Sequence, residues 1–121
     1  MILADTSIWI DHLRAGEPDL KRLLLAEEIV CHPFVIAEIA LGSLKGRDKV
    51  LGFLDGLAML PVPEPAEIRQ MIEARRLYGR GVGYVDSVLI ASCLLRPGTL
   101  FWTRDRRLQA VATEIGFAFY P

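Results

Sequence analysis

The chain has 121 residues, 52% hydrophobic and 24% charged, with a formal net charge of -1. That size and composition predict one compact domain with its own core and exclude a disordered chain. The near-zero charge excludes a surface that binds polyanions all round, and no apolar run approaches the roughly 18 residues of a membrane span.

Asp5 breaks the apolar start early and no basic region precedes it, so a cytoplasmic protein without a signal peptide is expected. Cys31 and Cys93 lie in apolar segments and read as buried free thiols, with no Cys or His spacing suited to zinc.

In chain order, Ile2 to Ala4 reads as a short buried strand, followed by a helix from about Ser7 to Arg14 that Gly16 stops. Pro18 opens a second helix that ends near Ala26. Ile29 to Cys31 is the second strand, and Phe34 to Leu44 has helical spacing. A helix over Asp48 to Leu54 ends at Gly56, and Leu57 to Val62 is the third strand, closed by Pro61 and Pro63. Pro65 starts a helix expected to reach about Tyr78, where Gly79 stops it. The glycine-rich loop Gly79 to Gly83 leads into a helix from Val85 to Leu95. Strand Thr99 to Trp102, helix Arg106 to Ile115 and strand Phe117 to Phe119 complete the chain. Short apolar strands alternating with helices predict an α/β fold, with a mainly parallel sheet of four to five strands covered on both faces.

In such sheets the functional crevice lies beyond the carboxyl ends of the strands. Asp5 and Asp105 each follow a predicted strand, Asp86 stands near a helix start, and Glu38 lies in a fourth apolar segment. Each has an ordinary explanation alone, as a helix cap or a solvated helix residue. Gathered together, the four would repel one another unless a cation sat among them, and an all-oxygen donor set favours Mg2+ or Mn2+. Thr103, Ser7 and Thr6 adjoin these acids and are candidates to orient a carboxylate or a bound water; capping and strand propensity explain them equally. Arg80, Arg104 and Arg106 are candidate phosphate contacts, although ordinary ion pairing suits them as well. His12 and His32 lack any partner in the sequence that would orient them for metal-free RNA cleavage. Asp11 reads as an exposed residue of little functional weight.

Four segments, L-A-D-T-S-I-W-I-D-H-L, H-P-F-V-I-A-E-I-A-L-G, G-R-G-V-G-Y-V-D-S-V-L-I-A-S and L-F-W-T-R-D-R-R-L, span nearly the whole chain. At these residues it resembles the PIN-domain ribonucleases, most closely the VapC-type toxins of bacterial toxin–antitoxin pairs. The resemblance implies a three-layer α/β/α sandwich with Asp5, Glu38, Asp86 and Asp105 as the acidic metal site and Thr103 assisting. Asp5 and Asp105 would be the principal anchors of Mg2+ or Mn2+. The reaction implied is hydrolysis of RNA phosphodiester bonds, with transfer or ribosomal RNA as target. A cognate VapB-like antitoxin, a homodimer and a toxin–antitoxin hetero-oligomer are implied partners. Some family members carry a further acid shortly after the last one; here Arg106, Arg107 and Leu108 occupy that stretch. The alternative is a non-catalytic acidic α/β regulatory or RNA/antitoxin-binding module. A phospho-acceptor receiver would need a lysine at the end of the later strand, where this chain has Thr103 and Arg104.

Overall fold

A computed structural model describes residues 1–121. Three short strands, β1 (Ile2–Ala4), β2 (Ile29–Val30) and β3 (Leu100–Trp102), form a parallel sheet in the order β2-β1-β3. Seven helices surround it: α1 (Thr6–Ala15), α2 (Pro18–Leu25), α3 (Pro33–Ala40), α4 (Arg47–Asp55), α5 (Pro65–Ala74), α6 (Tyr84–Leu95) and α7 (Arg106–Ile115). Every residue of β1 is buried, so the central strand needs apolar side chains on both faces, and Ile-Leu-Ala supplies them. Pairing of Ile2, Leu3 and Ala4 with Leu100, Phe101 and Trp102 brings the two ends of the chain side by side.

α6 explains much of the packing. It is apolar nearly all round and buried from Ser87 to Cys93, as a helix enclosed by its neighbours must be. It leads directly into β3, so its N-terminus lies at the edge where the parallel strands end.

The expected sheet of four to five strands is corrected to three. Met59 and Ala118 each form only a single parallel bridge, to Cys31 and Phe101 respectively. These bridges mark the predicted strands Leu57 to Val62 and Phe117 to Phe119. Two hydrogen bonds hold each segment, Cys31 N to Ala58 O and Leu60 N to Cys31 O on one side, Phe101 N to Phe117 O and Phe119 N to Phe101 O on the other. Pro61 has no N–H for another rung of the first.

Two helices stop earlier than the sequence spacing suggests. The predicted helix Phe34 to Leu44 is α3, ending at Ala40, where the Leu41 N–H tightens onto the Ala37 and Glu38 carbonyls. The helix expected to reach Tyr78 is α5, ending at Ala74. Arg76 takes the left-handed conformation (φ 53°), and the Leu77 N–H bonds the Ile72 carbonyl. That closure normally recruits glycine, and an arginine in its place gave no stop signal.

Both cysteines are buried and free. His32 is buried too, and structural. Its Nδ1 accepts the Phe34 N–H at 2.9 Å, which leaves the proton on Nε2 to be donated to Ser92 Oγ at 2.8 Å. Burial pushes the imidazole down to about 4. His12 likewise accepts a backbone N–H, from Glu17. The buried His32 ring is not placed for acid–base work on RNA. Ser92→Ala removes the acceptor for a buried N–H and is expected to cost about 1–3 kcal/mol of stability in urea unfolding.

Candidate active site

Asp5 leaves the carboxyl end of β1 and caps α1, with Oδ1 accepting the Ile8 N–H at 3.3 Å. The residue is only 5% exposed. Ser7 Oγ donates to Oδ1 at 2.5 Å, and the buried Thr103 hydroxyl donates to Oδ2. Thr103 is also an acceptor, taking the Asp105 N–H on Oγ1 at 3.1 Å. A single hydroxyl at the end of β3 therefore ties two acids together across the sheet.

Asp105 caps α7, accepting the Arg107 and Leu108 N–H groups on Oδ1 at 2.9 and 3.1 Å. The capping explanation is correct for Asp5 and Asp105, and it accounts for Oδ1 of each. Oδ2 of Asp105 accepts no hydrogen bond from the protein. Glu38 projects from α3 and accepts the Thr6 hydroxyl at 2.6 Å, linking α3 to the start of α1. Asp86 stands in the first turn of α6, half-buried.

The four acids share one field. The carboxyl of Asp86 is pushed up to about 6, first by its own burial and then by the charges of Asp5, Asp105 and Glu38. No basic side chain offsets this concentration. The ion pairs lie elsewhere, joining Arg22 to Asp19, Arg80 to Glu114, and Arg104 to Asp11 and Glu17.

Those pairs change the standing of the candidate phosphate contacts. Arg80 makes a two-pronged contact with Glu114, at 2.7 and 2.8 Å. Arg104 holds Asp11 and Glu17, pinning the β3–α7 turn to the middle of α1 and the N-cap of α2. Asp11 thus has a partner that its place in the sequence did not reveal. Arg106 is exposed and makes no ion pair. The Arg107 guanidinium lies over Gly81, whose φ of +76° calls for glycine. Leu108 is in the core, so that position offers no further ligand.

All-oxygen donors carrying an excess of negative charge fit a hard divalent cation. The side chains are not already folded around one. No three acids, histidines or cysteines close on a common point. Asp5, Asp105 and Glu38 turn instead to their own hydroxyl and backbone partners.

Sequence reasoning missed Gln109. Its Nε2 donates to the Thr103 carbonyl at 2.9 Å from one turn into α7. The only signal was an amide-bearing residue on the first turn of a helix that directly follows a strand.

The PIN domain family model matches residues 2–114. The chain is 50% identical over 118 residues to Ribonuclease VapC32 of Mycobacterium tuberculosis, covering 98% of this chain and 95% of that protein. Among solved structures, PAE2754 from Pyrobaculum aerophilum aligns with a TM-score of 0.67 at 17% identity, over 98% of this chain and 87% of that one. FitAcB from Neisseria gonorrhoeae aligns with a TM-score of 0.65 at 20% identity, over 93% and 94%. The two structures establish the fold, and the near-complete match to VapC32 narrows the branch. This chain belongs to the PIN-domain family, among its VapC-type members.

Proposed function

We propose that this chain is a divalent-metal-dependent endoribonuclease toxin that hydrolyses RNA phosphodiester bonds and is neutralised by a cognate VapB-like antitoxin. One observation carries the reading: acids from four separate elements meet in a single electrostatic field with no protein cation among them. Half-identity to a named ribonuclease over almost the full chain supports it.

Asp5 and Asp105 would hold Mg2+ or Mn2+, with Glu38 and Asp86 completing the donor set directly or through water. Once bound, such an ion polarises a phosphoryl oxygen and lowers the pKa of a water molecule. The chain's own contribution is orientation. Thr103 and Ser7 fix both oxygens of Asp5, and Thr6 fixes Glu38. Arg106 is the best placed of the three candidate arginines to meet an RNA phosphate, because Arg80 and Arg104 are held by acids. The target is transfer or ribosomal RNA, met in the cytoplasm by a homodimer. No helix is long and apolar enough to cross a membrane.

The regulatory-module alternative is not favoured, since likeness to a ribonuclease runs through the whole chain. Purified protein should cleave a structured RNA in Mg2+ or Mn2+ and stop on addition of EDTA, as read on a denaturing gel. Cleavage undiminished by EDTA would sink the proposal.

A further inference from the structure

Thr103 is the hinge pin of the acidic site, and its carbonyl presents a problem. The ladder between β1 and β3 ends with the Asp5 N–H bonded to the Trp102 carbonyl at 3.0 Å. One residue on, Thr103 is 2% exposed and no backbone N–H reaches its oxygen. A buried carbonyl needs a donor. Gln109 supplies it from α7, while its own backbone N–H bonds the Asp105 carbonyl at 2.9 Å.

We infer that Gln109 is a positioning residue for the acidic site, its side-chain amide locking the Thr103 peptide so that the Thr103 hydroxyl meets Asp5 and Asp105 together. The inference rests on the ribonuclease reading above. Without the amide, the Thr103 peptide is free to rotate and seek water. The Thr103 hydroxyl then loses its fixed direction toward Asp5 Oδ2, and the Asp105 N–H loses its acceptor. The Gln109 amide hydrogen-bonds none of the four acids, so its effect passes through Thr103.

The test uses full-length protein with Gln109→Met, which keeps the bulk and removes the donor, and Gln109→Lys, which restores a donor. Mn2+ binding to metal-free protein is read from the spin-resonance signal of the unbound ion, and RNA cleavage is measured separately. Outer groups that orient metal ligands typically matter about 10- to 100-fold. Gln109→Met is therefore expected to weaken Mn2+ binding about tenfold and lower kcat by a similar factor, with KM for RNA nearly unchanged. Gln109→Lys is expected to recover most of both. Wild-type Mn2+ affinity in Gln109→Met overturns the inference. So does a Lys variant no better than the Met variant, which reduces Gln109 to packing. If the wild type binds Mn2+ but cleaves no RNA, the ribonuclease reading fails, and the Met-to-Lys difference in Mn2+ binding still decides the positioning role. If the wild type binds no Mn2+, both are overturned.

Discussion

Asp5→Asn is expected to reduce RNA cleavage by more than about 100-fold while leaving the fold nearly intact. The magnitude exceeds the roughly 10- to 100-fold effect of groups that merely orient metal ligands, because Asp5 is proposed to touch the ion itself. The fold should survive because asparagine caps a helix as well as aspartate does. Its amide also keeps an oxygen for Ser7 or Thr103. Cleavage assays beside urea unfolding separate the two effects. Loss of activity with a matching loss of stability would count against a catalytic role, whereas loss of activity alone supports it.

In metal-free protein, Asp86→Asn is expected to raise stability at pH 7 while abolishing cleavage in Mg2+ or Mn2+. The folded carboxyl titrates at about 6 against an ordinary value of 3.8. Between those values the folded chain holds a proton that the unfolded chain has released. Stability therefore falls as pH climbs through this window and stays reduced above it. Discounted for the solvent that reaches a half-buried carboxyl, the penalty is on the order of 1 kcal/mol. His32 acts in the opposite sense. Its folded value of about 4 lies below the ordinary 6.5, so the unfolded chain binds the extra proton and stability rises with pH across that range. Urea titrations in EDTA at pH 4 to 7.5 should show the gain from Asp86→Asn growing with pH up to about 6 and then levelling. A gain already complete at pH 4 would mean that something other than ionisation is responsible.

The positions of Asp5 and Asp105 were legible because they follow from sheet geometry. A residue directly after a buried parallel strand has only one edge to occupy, and Asp5 obeys that rule in one dimension of information. Contacts between distant segments have no such rule. Arg104 meets Asp11 and Glu17 across separations of 93 and 87 residues, so only the folded chain reveals the pairing. The direction of a side chain is equally hidden, which is why Gln109 passed unnoticed. The early end of α5 was hidden for a more local reason: Arg76 (φ 53°) adopts the left-handed conformation that glycine usually marks. The third and fifth predicted strands failed because strand propensity says nothing of how many rungs a partner can offer.

The hydroxyl of Thr103 and the carboxylate of Asp5 are separated by 98 positions, and β1 lies between an early partner and a very late one. A chain emerging from the ribosome, N-terminus first at roughly 5–20 residues per second, therefore carries half of its acidic cluster long before the other half exists. Until Leu100–Trp102 emerges, β1 has an open side and Asp5 has nothing opposite it. A nascent or prematurely terminated copy that lacks this segment therefore lacks the Thr103 hydroxyl and Asp105 as well, and with them the contact that fixes Asp5 Oδ2.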